Sequence, residues 1–145
     1  MQRSFVLLAL TALCFSAALT QARADEVVYV SKEKVFATTA AAGTLSTGSD
    51  HRVSMSRREE AGQSEVHDAE TDVFYVMEGS ATFVTGGTIV GGKTTAPGQV
   101  RGTGIINGTT HMLSKGDVVV IPKGTPHWFK EVPEVVVYFV VKAIQ

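Results

Sequence analysis

A chain of 145 residues, 44% of them hydrophobic, is long enough to bury one single-domain core. Its formal charge of −1 offers no basic surface of the kind that nucleic acid or an anionic membrane needs. The single cysteine, Cys14, excludes an intrachain disulfide, so stability must come from the core.

The N-terminus reads as a secretory signal peptide. Met1-Gln2-Arg3 is a short cationic start, and Phe5 to Leu19 is an apolar run broken only by Ser and Thr. Ala22-Arg23-Ala24 gives a small-x-small cleavage site before Asp25. The run is too short for a membrane anchor, and no second apolar segment could span a bilayer. Leu13 precedes Cys14 where a lipoprotein signal needs a small residue, which argues against lipidation. The expected organisation is a signal peptide over 1–24, an N-terminal segment over 25–50 and a β domain over 51–145. The expected location is periplasmic or secreted, with no membrane attachment after cleavage.

Val27 to Val30 is a short β-rich stretch, and Ser31 can cap a brief helix over Lys32 to Thr39. Ala40 to Ser49 is small and polar and reads as a mobile or clasping segment. From Arg52 onward the pattern is β. Val53 and Met55 alternate with Ser54 and Ser56, and Arg57 to Gln63 forms a charged turn. In a strand over Asp72 to Met77, period-two geometry sends Asp72, Phe74 and Val76 to one face and Tyr75 and Met77 to the other. Ala81 to Thr85 follows a turn at Gly79. Gly86 to Gly104, rich in Gly and Thr, reads as a long flexible hairpin that could act as a lid or an arm. Asn107-Gly108 favours a type I′ turn, and Asn107-Gly108-Thr109 also matches a glycosylation sequon. Asp117 to Ile121 and Val135 to Val141 are nearly continuous apolar runs, as in strands covered on both faces. Short strands at regular spacing with glycine turns predict an all-β barrel or sandwich.

Two spaced motifs carry the chemistry. The first is Gly62-x-x-Glu65-x-His67-x4-Asp72-x6-Gly79, and the second is Gly116-x5-Pro122-x-Gly124-x-x-His127-x3-Glu131. Glu65 and His67 share a strand face, and a turn at Asp68 to Thr71 returns Asp72 to the same interior. His127 follows the rigid Pro122-Lys123-Gly124-Thr125-Pro126 loop. Two imidazoles with one or two carboxylates suit a divalent first-row metal. His67 and His127 taken singly would read as ordinary polar residues at strand ends, and only the shared framework favours a metal. His51 and His111 read as surface or satisfied core histidines. Trp128, out of phase with His127, should face away from the pocket. Phe74, Val76 and Phe129 could line a cavity or simply form core. Glycines 86, 87, 91 and 92 lack the Gly-Lys-Ser/Thr and the helix of a phosphate loop.

These motifs resemble the two signature motifs of the cupins, over roughly Arg52 to Val141. The resemblance implies a jelly-roll β-barrel, here with a short N-terminal helix, and a homodimer. In the cupin pattern the first motif supplies two histidines and a glutamate, and the second supplies one histidine. By position, Glu65 stands where the first histidine belongs, His67 matches the second, Asp72 replaces the glutamate and His127 matches the last. Glu131 stands where an asparagine is usual. Both replacements remain oxygen ligands, and the harder donor set shifts the expected ion towards Fe, Mn or Zn.

The residues therefore predict a metal site of His67, His127 and Asp72 with Glu65, or with Glu65 as general base, binding a small-molecule substrate. The resemblance adds oxygenase, isomerase or lyase chemistry on an oxygen-bearing molecule. The competing expectation is a non-catalytic periplasmic module for a small ligand or a metal.

Overall fold

The computed structural model describes residues 26–145; the signal-peptide reading over 1–24 lies outside them. One helix, α1 (Lys32–Thr39), precedes twelve strands. It starts where the capping residue predicts, with Ser31 Oγ accepting from the Lys34 amide at 3.4 Å. No helix among the described residues is long and apolar enough to cross a membrane.

The strands are β1 (Gly43–Thr47), β2 (His51–Arg58), β3 (Ser64–His67), β4 (Glu70–Thr85), β5 (Thr88–Val90), β6 (Lys93–Ala96), β7 (Gln99–Gly102), β8 (Gly104–Ile106), β9 (Thr109–Ser114), β10 (Val118–Ile121), β11 (His127–Glu131) and β12 (Val136–Ile144). All pairings are antiparallel. One sheet runs β1-β2-β12-β4-β10, and the other runs β6-β7-β3-β11-β4-β9. β4 belongs to both and joins them into a jelly-roll barrel, while β5 and β8 form a separate ribbon.

The shared strand corrects one expectation. Gly79 is not a turn between two strands but a pivot inside the 16-residue β4. Opposite it, β12 steps from Val137↔Glu78 to Tyr138↔Val76, leaving Met77 without a partner. This bulge changes the parity of β4. Asp72, Phe74 and Val76 face the interior before it, and Ala81 and Phe83 enter the core after it. The core forms between the sheets from Phe74, Phe83, Phe129 and Tyr138, with ring centroids 4.7 to 6.0 Å apart, and from the aliphatic residues around them.

Other expectations are also corrected. Ala40 to Ser49 is not a loose clasp, because it contains β1, which pairs with β2. Val27 to Val30 forms no strand. Gly86 to Gly104 is not a free hairpin: its β7 pairs with β3 and so walls the interior. Asn107-Gly108 makes no hairpin, since β8 pairs with β5 and β9 with β4. Only Asn107 has positive φ there, whereas a type I′ turn needs two such residues. Gly108 serves close approach instead, as a Cβ there would sit 2.6 Å from Val84 Cγ1. β10 is covered on one face only, with Val118 and Val120 exposed.

Candidate metal centre

The sheet registers bring the two motifs together. Glu65 pairs directly with His127 on one side and with Arg101 on the other, and His67 pairs with Gln99. The Pro122 to Pro126 loop is tied down where the Gly124 amide donates to the His67 carbonyl at 2.7 Å. In the other sheet, Asp72 on β4 is the register partner of Lys142 on the adjacent β12. His67, Asp72 and His127 are buried, and Glu65 nearly so.

The four side chains converge. His67 Nε2 lies 4.0 Å from Glu65 Oε2 and 3.7 Å from Asp72 Oδ2. His127 Nε2 lies 3.6 Å from Glu65 Oε1 and 3.8 Å from Asp72 Oδ2. Ligands about 2.1 Å from a tetrahedral ion stand roughly 3.4 Å apart, so the spacing is slightly wider than a closed coordination sphere.

The outer partners orient both rings. His127 Nδ1 is 3.1 Å from the Thr125 carbonyl, and His67 Nδ1 bonds the Gln99 side-chain oxygen. An oxygen of either kind accepts, so each Nδ1 carries a proton and each ring turns its Nε2 towards the carboxylates. His127 Nε2 is buried and has no hydrogen-bond partner. With Nε2 unprotonated, two lone pairs beside two carboxylates would be satisfied by a cation between them. The donor set therefore fits a divalent ion, with His67, His127 and Glu65 forming one group of adjacent ligand atoms and His67, Asp72 and Glu70 another.

The charges nearby come from residues that sequence reasoning missed. Arg101 reaches Glu65 Oε2 at 2.9 Å. Lys142 Nζ donates to both oxygens of Asp72, at 2.7 and 2.8 Å, and to Glu70 Oε2 at 2.8 Å. Asp72 is thus shared with an internal cation, and Glu70 joins the edge of the site. Burial pushes the Glu65 carboxyl up, but His127, the Arg101 guanidinium and His67 outweigh it and hold the group at about 2. Burial likewise raises Glu70, and Lys142, His67 and Arg52 outweigh it, leaving it below its ordinary value.

The signals for the missed residues were present. Gln99 and Arg101 alternate across Val100 as strand residues do, but the surrounding Gly and Thr masked the strand. Lys142 is in phase with Tyr138 and Val140 at the end of an apolar run, where a lone cation needs an acidic partner.

Other candidates lie outside the centre. His111 is exposed and 2.8 Å from Thr85 Oγ1, and His51 pairs with Asp50 at 2.6 Å. Trp128 faces away as expected and donates to the Gly62 carbonyl at 2.8 Å. Glu131 is exposed and accepts from Thr82 Oγ1 at 3.0 Å.

The low Glu65 value has a consequence for acid stability. Its folded value lies below the ordinary 4.5, so the stability it contributes is fully present above pH 4.5 and is lost as pH falls towards 2. In chelator-treated protein, urea titrations from pH 7 to pH 2 should show wild type losing its advantage over Glu65→Gln across that window. A stability difference that does not vary with pH would contradict this.

The model of the cupin family matches residues 29–143. No curated protein matches the chain. A Bacillus halodurans protein, BH2720, is similar in structure at 15% identity, with a TM-score of 0.58 and 81% of each chain covered. The Schizosaccharomyces pombe Cnp3 cupin domain matches at 12% identity and a TM-score of 0.53, over 72% of this chain. This chain spans 60% of the length of that yeast structure. TT1209 from Thermus thermophilus matches at 17% identity and a TM-score of 0.51, covering 72% of this chain and 82% of its own. At such identities the structures speak for the fold. With the family match running over nearly all of the described residues, the chain belongs to the cupin family.

Proposed function

We propose that this cupin is an exported metal-dependent enzyme acting on a small oxygen-bearing molecule, with oxygenase, isomerase or lyase chemistry. The observation that carries this reading is the buried His127 Nε2, without a hydrogen-bond partner and grouped with ligand atoms of His67 and Glu65. His67, His127 and Glu65 would hold the ion, and Asp72 would complete its surroundings while bonded to Lys142. A divalent ion there would supply Lewis acidity at an open position. Glu65 is better suited to ligation than to proton abstraction, because a carboxyl near 2 is a weak base at neutral pH. The site opens onto a cavity of about 620 Å³ between the sheets, large enough for a small substrate. Metal stoichiometry by elemental mass spectrometry, wild type against His67→Ala/His127→Ala, tests the reading.

The same proposal includes export and a homodimer. Tyr75, Val118 and Val120 sit side by side on the outer face of the β4–β10 pair, at 46%, 63% and 61% exposure. An apolar face of this kind on a sheet suits a second copy of the chain. Exported protein is expected to begin at Asp25 by intact mass and to scatter light as a dimer. Val118→Lys/Val120→Lys should give monomers. A wild-type monomer, or a retained N-terminus, would sink the corresponding part.

A further inference from the structure

The cavity holds more positive charge than its carboxylates can pair. Arg52, Arg58, Arg101 and Lys142 line it against Glu65, Glu70 and Asp72. Arg101 and Lys142 are taken by those acids. Arg58 makes no ion pair among the described residues. Its Nε donates to the buried Tyr138 hydroxyl at 3.0 Å, and its guanidinium carbon lies 4.8 Å from the centre of the Phe129 ring. Gly62 leaves room for it, since a Cβ there would fall 2.7 Å from the Arg58 terminal nitrogen. A guanidinium fixed by a hydroxyl and an aromatic face keeps the outer edge of its fork free.

Its place relative to the metal centre is set by the strands. Phe129 is the next inward residue after His127 on β11, and the Phe74 ring lies 6.4 Å from His127 and 6.0 Å from Phe129. Arg58 therefore stands one aromatic ring beyond the ligand cluster. Ser54 and Ser56, in phase with it on β2, line the cavity with hydroxyls that hold no side-chain hydrogen bond among the described residues. Phe74 and Val140 supply apolar wall between the polar ends.

We propose that the pocket takes a small carboxylate-bearing molecule, with one carboxylate held by Arg58 beside Ser54 and Ser56 and a second oxygen function at the His67–His127–Glu65–Asp72 cluster. The second anchor rests on the metal reading; the first does not. One guanidinium balances the charge of one carboxylate and matches its two oxygens, whereas a phosphate dianion would leave charge unmatched.

The test is calorimetric titration of succinate and glutarate into metal-loaded protein, with succinamide as the uncharged counterpart and glycerol phosphate as the phosphate arm. A dicarboxylate is expected to bind wild type and to bind Arg58→Gln roughly 10–100-fold more weakly, the loss typical of one charge-assisted contact. Gly62→Ala, which keeps the guanidinium but displaces it, should weaken binding in the same direction. Arg57→Gln, which removes the same charge from a neighbouring β2 residue that pairs with Glu59 outside this cavity, should bind as wild type does. Equal affinity in wild type, Arg58→Gln and Gly62→Ala would overturn the proposal. So would failure of both dicarboxylates to bind, or tighter binding of succinamide or glycerol phosphate. Metal content measured on each titrated sample separates the two readings. Wild type without metal defeats the metal centre, while the comparison with Arg58→Gln still decides the anchor.

Discussion

Close to one equivalent of iron, manganese or zinc is expected in protein purified without chelator, and His67→Ala/His127→Ala should lose it. The expectation follows from orientation as much as from residue type. Both Nε2 atoms are aimed inward by partners on the opposite ring nitrogen, Thr125 for His127 and Gln99 for His67. Removing both imidazoles leaves carboxylates already paired with Arg101 and Lys142, which have little left to offer an ion. Glu65→Gln should weaken binding strongly, because it removes the carboxylate adjacent to both rings. Gln99→Ala touches no ligand atom but frees the His67 ring, and a loss of about 10–100-fold is expected. Circular dichroism on each variant separates loss of the ion from loss of the fold. Wild type that is metal-free and cannot be reloaded would show that Arg101 and Lys142 have taken over the charge balance of the site.

The largest stability loss is expected at Gly79→Ala, at more than about 4 kcal/mol by urea denaturation. Gly79 has φ of +75°, and a Cβ there would lie 1.8 Å from the Val135 carbonyl oxygen. Backbone cannot yield as a side-chain tip can, so β4 and β12 would have to separate where the strand passes from one sheet to the other. Gly86→Ala is the control. Its φ of +70° is similar, but nothing lies within 4 Å of the added atom. That substitution should cost only the left-handed penalty, about 1–2 kcal/mol. Equal losses at the two positions would mean that backbone conformation, and not the sheet crossing, sets the requirement at Gly79. A domain of this size has roughly 5–15 kcal/mol in total, so Gly79→Ala approaches complete unfolding.

Much of the fold was legible because it is local. Ser31 before an eight-residue helix and the inward row of Asp72, Phe74 and Val76 each follow from spacing alone. The alternation around Met55 misled, because Ser54 and Ser56 line the cavity and the Met55 face packs on the outside of β2. Misreadings came where composition outweighed pairing. The small residues of Gly43 to Thr47 and the Gly and Thr around Gln99 look mobile, but β2 and β3 supply the hydrogen bonds that turn them into strands. Asn107-Gly108 carries a turn signal that the long-range pairings of β8 and β9 override.

By itself the sequence determined an all-β barrel or sandwich carrying His67, His127, Glu65 and Asp72 at spacings able to meet, and the resemblance to the cupins pointed to the barrel. Period-two geometry and rigid Gly/Pro turns suffice for the first of these. Only the tertiary structure decided which groups surround them. Gln99 on His67, Arg101 on Glu65, Lys142 on Asp72 and Arg58 on Tyr138 join positions 32, 36, 70 and 80 residues apart. Such pairs depend on strand register across a closed sheet, and a one-residue slip would turn every one of them to the other face.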